Sequence, residues 1–328
     1  MGVVKKTEIN ALKILLIGPT GQVGYELFRS LQTLGDVVAT TINEKEARLI
    51  PRGLAHLFLD LTDGMSIRKT VLDIRPDIIV NAAAYTAVDK AEQEKNIAMK
   101  INGDSLGILG ETARKIGSVV IHYSTDYVFD GSGDIPWREN SPTSPLNFYG
   151  VSKLAGEQNL MSSGALHLIL RTSWVHGVFG SNFVKTMIRL GRESEEVSVV
   201  CDQWGAPTSA RVLSDITSQI LVRALCLGSI EERNRFFKSN GGIFHCACGG
   251  QTSWHGFAKE IFSLAKEHNF PLKLKNVIPI TSMEYQTLAK RPTNSRLDCS
   301  KLTKTFNIKI PSWELALSHN FPSILYSS

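Results

Sequence analysis

The stretch "LKILLIGPTGQVGYELFRSLQTLG", residues 12 to 35, decides the fold. Its apolar start, "LKILLIG", predicts a buried strand, and "QVGYELFRSLQTLG" (22–35) predicts a helix that ends at Gly35. Between strand and helix, Gly18, Gly21 and Gly24 are spaced as GxxGxxG. Glycines at such a turn let the backbone approach a pyrophosphate, whose charge is stabilised by the N-terminus of the following helix. This unit therefore predicts a nucleotide-binding site.

Apolar runs keep alternating with amphipathic stretches after this unit. Further strands are predicted at 36–41, 55–60, 77–84 and 118–124, and helices near 64–74 and 88–116. Strands that alternate with helices form parallel sheets covered by helices on both faces. We therefore predict an α/β fold with a doubly wound, Rossmann-like parallel sheet.

The alternation becomes less regular after residue 170. Strands are predicted at 167–175, 196–200 and 241–248, helices at 209–227 and 252–268, and a proline-marked loop at 291–302. We assign residues 1–172 and about 196–248 to a dinucleotide-binding domain. A smaller C-terminal α/β domain, about 173–195 and 249–328, is assigned to substrate binding.

The composition of the 328 residues, with 43% hydrophobic and 20% charged, is typical of a soluble globular protein. The net charge of +5 is spread without a long basic run, so no nucleic-acid partner is predicted. No apolar segment is long enough for a membrane span.

Five cysteines, an odd number, favour a reducing cytoplasm. The alternation in "IFHCACGG" indicates a buried strand rather than a zinc site, and no metal is predicted.

The choice of cofactor depends on the end of the second strand. NAD sites usually place Asp or Glu there for the ribose hydroxyls, but "VVATTIN" ends in Thr40 and Thr41. No carboxylate at this position would repel a 2′-phosphate, and Lys45, Arg48 and Arg52 follow. These residues favour NADPH, with NADH as the alternative, although scattered basic residues are also common on solvated faces.

The segment "NFYGVSK" (147–153) holds Tyr149 and Lys153 four residues apart, which places them on one face of a helix. Thr125 ends the strand "VVIHYST", at the edge where open α/β sheets bind ligands. Reducing a ketone with hydride needs a proton donor and a second hydrogen bond to the developing alkoxide. We assign Tyr149 as the proton donor and the Thr125 hydroxyl as the group that forms the second hydrogen bond. Lys153 would lower the pKa of the phenol and bind the nicotinamide ribose.

Other cofactor contacts follow from their places at the same edge. Asp60 ends the run "LFLD" and is a candidate for the adenine end, while "NAAA" (81–84) offers small side chains beside the nicotinamide. The predicted cofactor contacts are Gly18, Gly21, Gln22, Val23, Gly24, Asp60, Leu61, Ala82, Ala83, Ala84, Tyr149 and Lys153.

These motifs belong to longer blocks: "GPTGQVGYEL", "RPDIIVNAAAYTAVDKAE", "HYSTDYVFDG", "PLNFYGVSKLAGE", "RTSWVHG", "NFVKTM", "DQWGAPT" and "RPTNSRLD". By them the chain resembles the extended short-chain dehydrogenase/reductase superfamily and, within it, the dTDP-4-dehydrorhamnose reductase family, from residue 12 to about 320. The resemblance implies reduction of the 4-keto group of dTDP-4-dehydro-L-rhamnose to dTDP-L-rhamnose, for polysaccharide biosynthesis.

The resemblance also implies which residues contact the sugar or nucleotide: Thr125, Asp126, Trp174, Asn182, Arg291 and Arg296. A guanidinium can bond two pyrophosphate oxygens at once, which suits the two arginines. Trp174 could instead be a core aromatic, and the arginines could be solvated surface charges.

Two positions depart from the family pattern. Thr41 stands where the family often has an acid, which puts NADH preference in doubt. Some members form metal-bridged dimers through glutamates, and Glu26 matches one of these, but Arg211 follows "GAPTSA". A cation there leaves a magnesium bridge incomplete, so a homodimer stays an open alternative without a predicted metal.

Two rival functions remain open at this point. Nucleotide-sugar dehydratases and epimerases share the superfamily, but dehydratases follow the catalytic Thr with Asp and Glu, and here Tyr127 follows Asp126. The second rival is a regulatory subunit, because the β subunit of methionine adenosyltransferase resembles these reductases and binds NADP without reducing the sugar.

Overall fold

A parallel sheet of seven strands forms the centre of the fold. The computed structural model describes residues 12–50 and 55–327. The strands are β1 Leu12–Ile17, β2 Gly35–Thr41, β3 His56–Phe58, β4 Ile78–Asn81, β5 Val119–Thr125, β6 Leu166–Thr172, β7 Val175–His176, β8 Glu196–Val200, β9 Trp204–Gly205, β10 Thr208–Ser209, β11 Gly242–His245, β12 Thr252–Ser253 and β13 Asn276–Ile280. The central sheet has the order β11-β6-β5-β4-β1-β2-β3.

Helices follow most of these strands, as the alternating pattern predicted. They are α1 Gln22–Leu31, α2 Glu44–Ala47, α3 Gly64–Ile74, α4 Val88–Ala91, α5 Lys95–Met99, α6 Ser105–Ile116, α7 Phe148–Ser162, α8 Phe183–Glu193, α9 Ala210–Leu225, α10 Ile230–Asn240, α11 Trp254–Glu267, α12 Ser300–Phe306 and α13 Trp313–Tyr326. A π-helical turn, Lys100–Asp104, joins α5 to α6. None of the described helices is long and apolar enough to cross a membrane.

The apolar runs of the sequence became strands that are covered on both faces. All the residues of β4 and β5 are buried, and one apolar cluster lies on each side of the sheet. Helices α1 and α9 cover one face, and α3 and α6 cover the other. The doubly wound, Rossmann-like fold is confirmed.

The strand order positions the ligand site. From β1 the chain adds β2 and β3 on one side, and then β4, β5 and β6 on the other. The order therefore reverses between β1 and β4. Open α/β sheets bind ligands at the carboxyl ends of the strands that flank such a reversal.

The helix predicted to end at Gly35 ends four residues earlier, at Leu31, and that prediction was wrong at its C-terminus. Gly35 instead begins β2 and pairs with Leu12 of β1. A Cβ atom at Gly35 would overlap the Leu12 carbonyl oxygen. The glycine therefore allows two strands to approach each other rather than capping a helix.

A second apolar core is formed by α8, β8, α11 and α13, separate from the two clusters on the sheet. Strand β8, which the sequence grouped with the first domain, pairs with β13 and contributes to this second core. Helix α9 packs against α1. We propose that the division into a dinucleotide-binding part and a smaller C-terminal part holds, with residues 196–200 moved to the second.

Candidate active site

A cleft of about 560 Å³ lies at the carboxyl ends of β1, β2, β4 and β5. Most of the predicted cofactor contacts line it: Gly18, Gly21, Gln22, Val23, Asp60, Leu61, Ala82, Ala83, Ala84, Tyr149 and Lys153. Gly24 does not line the cleft. It lies behind the turn, where a Cβ atom would overlap the Gly18 carbonyl oxygen, so its role is to let α1 pack close to β1.

The turn after β1 requires glycine for different reasons at its other two positions. Gly18 has φ +80°, and a Cβ atom there would lie 2.7 Å from the Ala83 backbone nitrogen. Gly21 is exposed and forms the N-cap of α1 without a side-chain capping bond. The turn thus presents backbone N–H groups at a helix N-terminus, which is an arrangement that binds phosphate.

Unpartnered polar atoms around the cleft fit a dinucleotide. Gln22 Oε1, Thr41 Oγ1, Ser124 Oγ and Thr172 Oγ1 are buried without a hydrogen-bond partner among the described residues, and all four residues line the cleft. Buried polar atoms normally have partners, and a ligand rich in hydroxyl and amide groups would supply them. Thr172 was missed by the sequence analysis, although its place at the end of β6 could have indicated it.

Tyr149 lines this cleft, and the Thr125 hydroxyl lies beside its phenol. Thr125 ends β5, and α7 begins at Phe148 after the N-cap Asn147, whose side chain accepts from Gly150 N at 2.9 Å. The Thr125 hydroxyl faces the phenol of Tyr149 and lowers its pKa, but burial has the larger effect and raises the pKa of Tyr149 above its usual value. The phenol therefore stays protonated at neutral pH, as a proton donor must.

Lys153 lies one turn further along α7, and its side chain is buried. Nζ lies 2.7 Å from the Tyr123 carbonyl oxygen and 3.0 Å from His122 Nε2. Burial lowers the pKa of Lys153 to about 7, and Glu157 opposes the shift. Burial outweighs any lowering of the Tyr149 pKa by Lys153, whose amine contacts Tyr123 and His122 instead. That Lys153 lowers the pKa of Tyr149 stays a prediction.

Asp126 follows Thr125 and is buried beside it. Burial raises the pKa of Asp126 to about 7, while the hydroxyls of Ser295 and Thr125 oppose the shift. Oδ1 accepts from Thr125 Oγ1 at 3.1 Å, and Oδ2 is buried without a partner among the described residues. A carboxyl group with this free oxygen can bind a hydroxyl of a ligand.

The other predicted substrate contacts already have protein partners. Arg291 forms an ion pair with Asp89 at 2.8 Å, and Arg296 donates to Asn294 Oδ1 and to Gln251 Oε1 at 2.9 and 2.8 Å. Arg291 also faces the Tyr127 phenol, which packs edge-on against Tyr149 with ring centroids 5.7 Å apart. Arg291 is thus connected to the catalytic end, whereas the bonds of Arg296 are to the loop itself and to Gln251.

Trp174 and Asn182 have clear structural roles. Trp174 follows β6 and stacks on Trp254 with ring centroids 3.7 Å apart. Asn182 is the N-cap of α8, where its side chain accepts from Lys185 N at 3.1 Å and donates to the Gly177 carbonyl at 2.8 Å. Direct contact of either residue with a sugar or nucleotide stays a prediction.

Comparison with known proteins identifies the family. The family model described as "RmlD substrate binding domain" matches residues 12–324. The dTDP-4-dehydrorhamnose reductase of Salmonella typhimurium is 42% identical over 306 residues, which cover 93% of this chain and 96% of the relative. The chain belongs to the dTDP-4-dehydrorhamnose reductase family. The predicted resemblance and the prediction of an oxidoreductase are thereby confirmed.

Two solved structures of the family have the same fold. A dTDP-4-dehydrorhamnose reductase ortholog from Clostridium acetobutylicum has a TM-score of 0.78 and 32% identity, covering 95% of this chain and 99% of that one. The reductase from Bacillus anthracis, solved in complex with NADP, has a TM-score of 0.76, 34% identity and the same coverage. The predicted NADP-type cofactor is therefore confirmed for the family.

The cleft lining near the end of β2 differs from the sequence-based expectation. Lys45 and Arg48 are exposed and do not line the cleft, and Arg52 lies outside the described residues. Glu46 does line it, and its Oε2 accepts from Ile42 N at 3.2 Å. A carboxylate is therefore present near the end of β2 after all, supplied by α2 rather than by the strand.

The glutamate expected at a metal bridge has another contact. Glu26 is buried on α1 and pairs with Arg29 at 3.4 Å, while Arg211 is exposed at the start of α9. Within residues 12–50 and 55–327, no three His, Cys, Asp or Glu side chains form a group that could hold a metal ion.

Proposed function

We propose that this protein reduces the 4-keto group of dTDP-4-dehydro-L-rhamnose to dTDP-L-rhamnose with NADPH, and that Tyr149 donates the proton. The observation that carries the proposal is a protonated Tyr149 that lines the cleft behind the glycine turn and faces the Thr125 hydroxyl. The proposed substrate is the one in the names of the relatives, whose sequences match this protein over nearly the whole chain.

Each residue has a defined part in this proposal. When bound, NADPH supplies the hydride. The Tyr149 phenol donates its proton to the ketone oxygen, and the Thr125 hydroxyl donates a hydrogen bond to the same oxygen as negative charge develops on it. The unpartnered Asp126 Oδ2 accepts from a sugar hydroxyl, and Arg291, held by Asp89, donates to a pyrophosphate oxygen.

The dehydratase alternative lacks a residue in this geometry. Elimination needs a carboxylate that removes a proton from the sugar, and position 127 holds a tyrosine packed on Tyr149. Asp126 is the carboxyl group at this end of the cleft, and burial favours its protonated form. Net reduction fits these residues better than elimination.

The test measures oxidation of NADPH by the purified protein at the nicotinamide absorbance, with dTDP-4-dehydro-L-rhamnose as substrate. We expect turnover that falls about a hundredfold to ten-thousandfold in Tyr149→Phe, as for a lost general acid. Tyr326→Phe is the matched control, because Tyr326 is an exposed tyrosine on α13.

Three results would contradict the proposal. Absence of turnover at micromolar protein would exclude the reductase activity, and tight association with a methionine adenosyltransferase would then support the regulatory alternative. A wild-type rate in Tyr149→Phe would show that another group donates the proton. Faster turnover of a 4-keto sugar of the opposite C5 configuration would show that the substrate is misassigned.

A further inference from the structure

A buried chain of hydrogen bonds lies beneath the catalytic lysine, and the proposed proton donation does not use it. It runs from Ala83 N to Asn81 Oδ1 at 3.1 Å, from Asn81 Nδ2 to His122 Nδ1 at 3.3 Å, and from His122 Nε2 to Lys153 Nζ at 3.0 Å. Asn81, His122 and Lys153 are each at most 1% exposed. The protons in such a chain are fixed by which atoms can donate and which can accept.

The orientation of the Asn81 amide follows from its first bond. A backbone N–H only donates, so the atom that meets Ala83 N is the amide oxygen. The amide nitrogen, which also only donates, then faces His122 Nδ1. Nδ1 must therefore be the acceptor, and a neutral imidazole in this position carries its proton on Nε2.

This tautomer determines the charge of the lysine. An Nε2–H group can bond Lys153 Nζ only if the amine has a free lone pair, which an ammonium lacks. The amine in turn donates to the Tyr123 carbonyl oxygen at 2.7 Å. Burial acts in the same direction, because it lowers the pKa of Lys153 to about 7 and that of His122 well below its usual value.

We propose that His122, with its tautomer fixed by Asn81, is a positioning residue that holds Lys153 as an uncharged amine in the ligand-free protein. An uncharged amine does not stabilise a phenolate, so Tyr149 keeps its proton until ligands arrive. This consequence rests on the proposed function, whereas the tautomer and the charge of the amine do not.

Other charged groups surround this chain of bonds. Glu157 on α7 favours the charged amine, but it is bonded twice by Arg171 of β6, at 2.9 and 2.6 Å. Asp126 at the end of β5 has a pKa raised by burial, which reduces its charge. The Asn81 backbone carbonyl lies near the ring and raises the His122 pKa, so it is the competing partner that would favour a proton on Nδ1.

Nuclear magnetic resonance of the ligand-free protein tests the proposal without any activity assay. Nitrogen shifts of labelled histidine report the tautomer, and carbon shifts of labelled lysine report the amine pKa, with Lys153→Met used to assign the signal. We expect His122 to carry its proton on Nε2 at pH 8 to 9, where the amine is uncharged, and Lys153 to titrate roughly three units below the ordinary lysine value. A proton on Nδ1, or ordinary titration of Lys153, would overturn the proposal.

Asn81→Asp tests the cause. One carboxylate oxygen still accepts from Ala83 N, but the other now accepts from Nδ1–H, so the His122 tautomer should reverse and the Lys153 pKa should rise by roughly a unit or more. The added negative charge alone also raises this pKa, so the control is the same change with His122→Phe. An equal rise in both backgrounds would refute the role of the imidazole. The tautomer of the unmodified protein decides the proposal if the double variant does not fold.

Discussion

At the scale of single residues, we expect the cleft lining near the end of β2 to influence cofactor preference. Glu46 lines the cleft near Thr41, whereas Lys45 and Arg48 are exposed and do not line it. A carboxylate at this end accepts hydrogen bonds from ribose hydroxyls and repels a 2′-phosphate. We therefore expect Glu46, a single residue on a short helix, to oppose the binding of NADPH.

Glu46→Gln should shift the preference towards NADPH. The change keeps the size of the side chain but removes the charge that repels the 2′-phosphate. At a partly exposed site this repulsion is worth about 1 kcal/mol. We expect the ratio of kcat/KM for NADPH over NADH to rise roughly fivefold, measured by the nicotinamide absorbance. Glu44→Gln on the exposed side of the same helix is the control, and an equal change there would mean that general surface charge is responsible.

The pairing of Thr125 with Tyr149 could be predicted from sequence, because the identities and spacing of these residues follow from the proposed chemistry. Thr125 and Tyr149 are brought together as the motif indicated, and Lys153 lies one turn away. The pKa of the phenol could not be predicted, since its direction depends on burial and on which atom the Lys153 amine bonds. Glu46 was missed for a related reason: it reaches the cleft from the first turn after β2 instead of from the strand end.

At the scale of elements, α7 is held against the π-helical turn by a glycine contact. A Cβ atom at Gly156 would overlap the Asn102 backbone carbonyl oxygen. Asn102 also donates to Ser152 Oγ at 3.0 Å and pairs with the Tyr85 backbone through both its side-chain atoms. The position of α7, and with it Tyr149, thus depends on a close approach of two helices.

Gly156→Ala should disturb this contact. Alanine is the better helix former, but the added methyl group must push α7 away from the π-helical turn, and such overpacking costs about 1–3 kcal/mol. We expect a lower free energy of unfolding in urea and a lower kcat, because Tyr149 moves with the helix.

Gly107→Ala on α6 is the matched control. Its Cβ atom would lie 3.4 Å from the Asn159 Cβ atom, an ordinary contact, so alanine should leave stability unchanged or raise it by up to about 1 kcal/mol. If both variants had the same free energy of unfolding, the close contact at Gly156 would not make a methyl group there destabilising.

The elements that the sequence analysis missed lack clear signals. Helix α13 contains Pro322, which normally argues against a helix interior. Strand β13 is half exposed and contains Pro279, and it forms only by pairing with β8 far away in the chain. The strands of the central sheet were found because each contains a run of apolar residues. Periodicity alone therefore identified the sheet but not the elements that depend on distant partners.

At the scale of the whole molecule, buried neutral histidines link stability to pH. The ring of His176 is fully buried near Phe257, and neither ring nitrogen has a partner among the described residues. Burial lowers the pKa of His176 to about 4. The unfolded chain takes up a proton here below about pH 6.5 while the folded protein does not, so stability falls as the pH drops from 6.5 towards 4.

His176→Leu should reduce this loss. Such a histidine lowers the free energy of unfolding by about 1.4 kcal/mol for each pH unit below 6.5. Leucine is of similar size and does not titrate, so it removes that contribution. We expect a smaller decrease in the free energy of unfolding between pH 6.5 and 5, measured by urea titration at each pH. The control is His56→Gln, because His56 is exposed. If this variant lost as little unfolding free energy between pH 6.5 and 5 as His176→Leu, burial would not be the cause.

The stacked pair Trp174 and Trp254 gives the molecule an optical signal of its own. Trp174 lies two residues beyond the end of β6 in the central sheet, and Trp254 begins α11 in the second core, with the rings 12° from parallel. Two indoles this close couple their electronic transitions, which produces a paired positive and negative band in circular dichroism. The band strength depends steeply on the separation and angle of the rings, so it reports on movement of the two parts without any attached dye.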